Sequence, residues 1–198
     1  MIKLYDFQPS GNGYKVRLLL TQLGIPYELV QLDIFQGLTR TPEFLAKNPN
    51  GRIPCVRLED GTHLWESNAI QFYFAEGTPF LPSEKLARAQ VLQWLFFEQY
   101  SHEPNIAVAR FWRIAGIEPP AAEAEAKQRG GHAALEAMER HLHTRRFLVG
   151  ERYSIADIAL YAYTHVAPEG GFKLEPYPAI EAWLARVRSQ PGHVPITA

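Results

Sequence analysis

Two short stretches combine residue types that suit the recognition of charge. In Ser10-Gly11-Asn12-Gly13 a hydroxyl and a carboxamide stand two residues apart, directly before a run of helical periodicity. A helix N-terminus carries unpaired N–H groups and about half a positive charge, so Ser10 and Asn12 would add side-chain donors where an anion is already favoured. The same pair would also serve as an ordinary cap, with Gly11 and Gly13 supplying the turn. In Glu66-Ser67 an acid precedes a hydroxyl where a strand runs into a helix. The helix start and the Ser67 hydroxyl suit a carboxylate and Glu66 suits an ammonium, so opposite charges on one ligand would both be met. Without a ligand, Ser67 would be an N-cap and Glu66 a favourable first-turn charge.

Other chemistries are excluded by what the chain carries. A single cysteine, Cys55, rules out an intramolecular disulfide, a CxxC pair and a cysteine-based zinc cluster. Following Pro54 inside a strand, it reads as a packing residue. The seven histidines show no HExxH or similar ligand spacing, so no metal is expected, and His141 and His143 fall near a helix C-terminus that favours partial protonation. Walker, GxGxxG and GxSxG motifs are absent. Lys plus Arg (20) nearly cancels Asp plus Glu (21), and the balance is local, with 7 basic and 8 acidic residues in positions 1–77. No basic half exists to neutralise phosphates, so nucleic acid is not an expected partner. Neither end reads as a targeting segment and no apolar run approaches the roughly 20 residues of a membrane span, which makes a cytoplasmic protein without membrane contact the expectation.

The elements that must position these residues follow from periodicity. Ile2 and Leu4 flank Lys3 in an opening strand, and after the polar turn Pro9–Gly13 the residues Val16, Leu19, Leu20 and Leu23 repeat at helical spacing with Lys15 and Arg17 off the stripe. Gly24 and Pro26 stop that helix, and Tyr27–Leu32 forms a second strand, completing a βαβ unit. A short helix (Pro42–Ala46) precedes a hairpin in which Val56 and Leu58 alternate with Arg57 and Glu59, Asp60-Gly61 turns, and His63–Trp65 returns. A helix over Asn68–Glu76 closes this half at Gly77. The Pro- and Gly-rich segment that follows reads as a linker, so the expected division is a domain over 1–77, a linker over 78–85 and an all-helical domain over 86–198. In the second part Ser83 is predicted to cap a long aromatic-rich helix kinked at Pro104, and Leu135, Met138 and Leu142 mark an inner helix face. Ser154–Asp157 resembles a capping box for a helix reaching about Ala167, and Ile180, Trp183, Leu184 and Val187 form the stripe of a last helix.

The βαβ-short helix-ββα order, the Ile53-Pro54 step at the third strand and the appended helical part resemble the soluble glutathione transferases, a thioredoxin-like α/β domain followed by an all-α domain. Four stretches carry the resemblance: Ser10–Val16, Asn48–Pro54, Glu66–Ile70 and Ser154–Asp157. The Ser-x-Asn loop is similar to bacterial members of the Nu class and to Theta-like enzymes, some relatives of which reduce disulfides. The resemblance implies glutathione as co-substrate, a cis Ile53-Pro54 bond although X-Pro bonds are ordinarily trans, and backbone contacts from Ile53 to the cysteinyl part of glutathione. It implies Glu66 and Ser67 at the γ-glutamyl end, and Arg52 and Thr39 within reach of the glycine carboxylate. Only about 3% of a free thiol is ionised at pH 7, and lowering its pKa by two units takes about 2.7 kcal/mol. One hydrogen bond to a charged acceptor (about 1.5–3 kcal/mol) plus a helix end (about 0.3–1 kcal/mol) suffices, and either Ser10 or Asn12 could supply it.

The function this implies is conjugation of the glutathione thiolate to a small hydrophobic electrophile, a detoxification chemistry, by a cytoplasmic homodimer. Tyr14, Phe97, Tyr100 and Phe111 are the aromatic residues able to wall an acceptor pocket, with His102-Glu103 adding polarity, although most of them suit a core better. The rivals are glutathione-dependent reduction of disulfides or peroxides, a glutathione-dependent isomerase, and a noncatalytic binding or regulatory protein of the same fold.

Overall fold

The structure, a computed structural model, describes residues 1–198. It contains two compact units, Met1–Glu76 with Pro191–Ala198, and Gly77–Gln190. In the first unit β1 (Ile2–Asp6), α1 (Gly11–Gln22), β2 (Tyr27–Gln31), α2 (Pro42–Leu45), β3 (Cys55–Arg57), β4 (His63–Trp65) and α3 (Ser67–Ala75) follow in order. The sheet order is β2-β1-β3-β4. β1 and β2 are parallel with Leu4 opposite Leu29, while β3 runs antiparallel to both β1 and β4 with Val56 opposite Leu4 and Leu64. Leu4, Val16, Leu20, Val56 and Ile70 form the core between the sheet and the paired helices α1 and α3. This is the thioredoxin-like arrangement, and it places the N-termini of both helices beside the ends of strands, where loops carry polar groups.

Helix α1 departs from the amphipathic reading. Lys15 and Arg17 are as buried as the leucines, 0% and 1% exposed, whereas Leu23 at the end of the supposed stripe is only half-buried. Arg17 is buried because each face of its guanidinium finds an acceptor. Nε meets Asp6 Oδ2 at 3.0 Å, Nη2 donates to the Gln8 carbonyl at 2.6 Å, and Nη1 donates to the carbonyls of Ile196 at 2.9 Å and Ala198 at 2.6 Å. Tyr14 adds a bond from its hydroxyl to the Val194 carbonyl at 2.6 Å. Residues 191–198 therefore pack with the first unit, although the sequence runs them on from the last helix of the second. Burial pushes the Asp6 carboxyl up to about 7, opposed by Arg17 and by the Phe7 N–H that Asp6 accepts at 2.7 Å. Gly13 lies directly against this carboxylate, where the Cβ of any other residue would overlap it. The expected turn thus lies largely in the first turn of α1, which begins at Gly11, and Gly13 is set by the closeness of that helix to the end of β1.

The second unit comprises α4 (Lys85–Phe97), α5 (Glu103–Ile114), α6 (Ala121–Leu142), α7 (Ile155–Thr164) and α8 (Pro178–Arg188). Glu84, not Ser83, caps α4: its two carboxylate oxygens accept from Leu86 N at 2.9 Å and Ala87 N at 2.7 Å. A carboxylate spans both orphan amides, and its charge also suits the helix dipole. At Pro104 the helix does not simply kink. It widens into a π turn over Glu98–His102, in which the Glu103 N–H reaches back to the Glu98 carbonyl. Pro104 has no N–H for the carbonyl four residues back, and a widened turn is one way to pass that gap. The Ser154–Asp157 capping box forms in full, and every residue of α7 is buried. That helix ends at Thr164, and a separate 3-10 turn covers Ala167–Gly170. Ile180, Trp183, Leu184 and Val187 bury the inner face of α8 as their spacing predicts. His141 corrects another expectation. It packs edge-on to Trp94 with ring centroids 4.7 Å apart, and burial holds its pKa below the usual histidine value, so the helix end does not favour its protonation. No helix is long and apolar enough to cross a membrane.

Candidate functional site

Ser10 caps α1 in extended backbone conformation, its Oγ accepting from Gly13 N at 3.3 Å. Two residues on, Asn12 Oδ1 accepts from Lys15 Nζ at 2.8 Å and from the Ser67 hydroxyl at 3.2 Å, while Lys15 Nζ also lies 3.3 Å from Ser67 Oγ. These three side chains tie the first turn of α1 to the first turn of α3. Ser67 is not the N-cap of α3. It is the first helical residue, Glu66 occupies the cap position, and no side chain caps that helix. A helix start without a side-chain cap suits an anion through its dipole and backbone amides. Glu66 has φ +69°, alone among the non-glycine residues in being left-handed, a conformation that costs energy for a side chain of this kind. Its carboxylate is exposed and accepts from Asn50 Nδ2 at 3.5 Å.

The loop before β3 is built on Asn48, which is buried. Its Nδ2 donates to the Arg52 carbonyl at 2.7 Å and its Oδ1 accepts from Asn50 N at 2.9 Å. Gly51 turns the chain at φ +62° with the Thr39 carbonyl and the Arg40 guanidinium close by, space that a Cβ would invade. Ile53-Pro54 is cis and leads directly into β3. Ile53 is half-buried and the Arg52 side chain is exposed, whereas Thr39 is buried in a 3-10 turn. Of the residues singled out from sequence, Asn12 and Ser67 are in direct contact, and Glu66 is joined to the loop before β3 through Asn50. Lys15 and Asn50 are the residues that sequence reading passed over. The signal for Lys15 was its place three residues after Asn12, on the same helical face.

Several aromatic candidates have other tasks. Tyr14 is fully buried with its hydroxyl on the Val194 carbonyl, so it walls no pocket. Phe97 packs edge-on against Trp94 with centroids 5.2 Å apart, and His102 is buried with Nε2 2.9 Å from Thr164 Oγ1. Tyr100 and Phe111 are exposed on the second unit. Cys55 is buried beneath Lys47, and burial pushes its thiol up to about 11, which removes it as a nucleophile at neutral pH. No group of three or more His, Cys, Asp or Glu side chains is arranged to hold a metal ion.

A four-stranded mixed sheet with a cis proline before β3, two helix N-termini joined by side chains, and a separate helical unit define a thioredoxin-like protein with an appended all-α domain. The family models for the glutathione S-transferase N-terminal and C-terminal domains match residues 1–76 and 88–191, and the chain belongs to that family. It is 57% identical to the solved glutathione S-transferase of Pseudomonas fluorescens Pf-5, with a TM-score of 0.97 over 100% of this chain and 99% of that one. The disulfide-bond oxidoreductase YfcG of Escherichia coli K12 is 34% identical over 199 residues, covering 97% of this chain and 92% of that protein. A structure of Ure2p in complex with glutathione superposes with a TM-score of 0.89 at 27% identity, over 96% of this chain and 95% of that one.

Proposed function

We propose that the chain binds glutathione in its first unit and transfers its thiolate to a small apolar electrophile. The observation that carries this reading is the pairing of two helix N-termini, α1 and α3, through Asn12 and Ser67. One end suits the thiolate and the other a carboxylate, as the two ends of one elongated peptide require. Ser10 and Asn12 donate to the sulfur. Asn12 meets an anion through its Nδ2 hydrogens, because its oxygen is turned to Lys15 and Ser67. Ile53 offers its backbone to the cysteinyl unit beside Pro54, as a strand edge does to a peptide. Glu66 takes the γ-glutamyl ammonium and the first turn of α3 takes its carboxylate, with Ser67 contributing through its tie to Asn12. Arg52 is exposed and suits the glycine carboxylate, whereas Thr39, being buried, contributes through the loop it supports. In the reaction the thiol proton leaves to solvent, sulfur forms a bond to the electrophilic carbon, and the leaving group departs with its electron pair. A cytoplasmic homodimer is part of the same reading, and sedimentation analysis checks its assembly state.

Similarity to a protein named as a disulfide-bond oxidoreductase favours one second reading, glutathione-dependent disulfide reduction. There the thiolate attacks a disulfide sulfur and displaces a thiolate, and a second glutathione resolves the mixed disulfide to give oxidised glutathione. Titration with glutathione, followed by a panel of aryl halide, epoxide, hydroperoxide and mixed-disulfide acceptors, separates the two. Absence of binding at millimolar glutathione would end both readings, and binding without turnover of any acceptor would leave a noncatalytic glutathione-binding protein. Ser10→Ala and Asn12→Ala are each expected to raise the pKa of bound thiol by about one unit, slowing thiolate-limited turnover below that pKa about tenfold. Ultraviolet titration of the thiolate measures this directly, and if neither substitution moves it the activation model is wrong.

A further inference from the structure

We infer that Lys15 is a positioning residue that sets which end of the Asn12 carboxamide faces the bound thiol. This rests on the glutathione reading of the site. The argument begins with burial. Lysine is rarely buried completely, yet Lys15 is 0% exposed within the first turns of α1. Its ammonium has three donors and no acceptor, so the Asn12 atom 2.8 Å from it must be the oxygen. Orientation of a carboxamide is otherwise ambiguous, since its two ends differ little in shape. Here the cation decides it. The Ser67 hydroxyl, 3.3 Å from Lys15 Nζ, directs its own proton to the same Asn12 oxygen at 3.2 Å and closes a three-membered set.

The consequence is electrostatic as well as geometric. With Oδ1 held by a cation and a hydroxyl, the Asn12 amide is polarised and can offer an anion only its N–H groups. A carboxamide free to flip would present its oxygen to the thiolate for part of the time and repel it. Lys15 is therefore expected to act on the sulfur through Asn12, from behind, without touching it. Because Ser67 shares the oxygen, the start of α3 is tied to the same orientation, so recognition at the far end of the peptide is coupled to the state of the thiol end.

Three measurements test this. In the unliganded protein, the Asn12 side-chain amide resonances should be single and slowly exchanging, and Lys15→Met should broaden or split them. With glutathione bound, Lys15→Met should raise the thiol pKa, with kcat/KM about tenfold lower below that pKa and converging on wild type at high pH, while glutathione affinity changes only a few-fold. Adding Asn12→Ala to Lys15→Met should then produce no further loss beyond Asn12→Ala alone. Should Lys15→Met fail to fold, Asn12→Asp provides an independent check. With Lys15 behind it the new carboxylate gains an ion pair and the melting temperature should hold or rise, although thiol activation is lost. Unchanged Asn12 resonances in Lys15→Met, additive losses in the double variant, or a marked fall in melting temperature for Asn12→Asp would each overturn the inference. If wild-type protein does not bind glutathione, the functional reading falls, and the resonance and melting measurements still decide whether Lys15 orients Asn12.

Discussion

Replacing Asp157 by alanine is expected to destabilise the protein by roughly 3–5 kcal/mol, read from the shift of a urea transition followed by tryptophan fluorescence. The Asp157 carboxylate is wholly buried and accepts from four donors: Leu148 N and Ser154 N at 3.0 Å, Trp183 Nε1 at 2.9 Å and Ser154 Oγ at 3.2 Å. Alanine leaves three N–H groups buried without an acceptor, and each such orphan costs about 1–3 kcal/mol before relaxation. The indole of Trp183 is itself 0% exposed, so water cannot readily replace the lost partner. Burial holds the carboxyl at about 6, above its ordinary value, against the pull of all four donors. Between the unfolded value near 4 and about 6 the folded state keeps a proton that the unfolded chain has released. This group's contribution is therefore greatest below that window, declines across it and is level above pH 6. Asp157→Ala should remove that slope along with the stability. Asp157→Asn should lose less, because one oxygen remains, but its NH2 must then face a donor. A loss under 1 kcal/mol for the alanine variant would show that the donors find other partners.

The second large effect is expected at Arg17. Arg17→Met removes the only cation in contact with buried Asp6 and cuts the bonds to the Gln8, Ile196 and Ala198 carbonyls. Breaking one side of a buried ion pair typically costs about 3–5 kcal/mol, because the remaining charge is uncompensated. Asp6 can escape part of this by keeping its proton, which makes the cost depend on pH. In the wild type burial already holds it at about 7 with Arg17 pulling it down, so stability falls from about pH 4 to 7 and then levels. Without Arg17 the folded value moves higher, and the variant should go on losing about 1.4 kcal/mol per pH unit beyond pH 7. The gap between variant and wild type should thus be widest at pH 8.5 and narrowest at pH 5, and adding Asp6→Asn to Arg17→Met should abolish the continued loss above pH 7. Parallel stability curves for Arg17→Met and wild type would refute this account.

Where sequence was a sufficient guide, the cause was local. Alternation in Ile2–Leu4 and Val56–Leu58, the Asp60-Gly61 turn, and the stripe through Ile180, Trp183 and Val187 depend on neighbours a few residues away, and these elements lie where they were read. The same holds for the Ser154–Asp157 box, whose partners are three residues apart. Lys15 and Arg17 were misread because periodicity records only that a charged residue lies off the apolar stripe. It cannot show that the other face meets a buried carboxylate, or carbonyls 179 and 181 residues away. Tyr14 is the core residue that most of the aromatic candidates were expected to be, though its partner at Val194 is equally remote in sequence. At the candidate site the local structure differs from the reading by residue type: Ser67 begins α3 instead of capping it, and Glu66 takes a left-handed backbone that its own type disfavours. Ser83 and Glu84 are adjacent and both able to cap, and the longer side chain, reaching two amides at once, prevailed.

The bonds from Arg17, Tyr14 and Gln22 to residues 191–198 also bear on the order in which the molecule can be completed. The first unit is discontinuous along the chain, with the whole of Gly77–Gln190 inserted between its two parts. On a ribosome adding about 5–20 residues per second, its sheet and helices would wait roughly six to twenty-four seconds before the last acceptors for Arg17 were added. During that interval Arg17 has its Asp6 and Gln8 partners but not the Ile196 and Ala198 acceptors. Completion of the Arg17 bonds is therefore timed by synthesis of the helical unit, although that unit supplies none of the four acceptors.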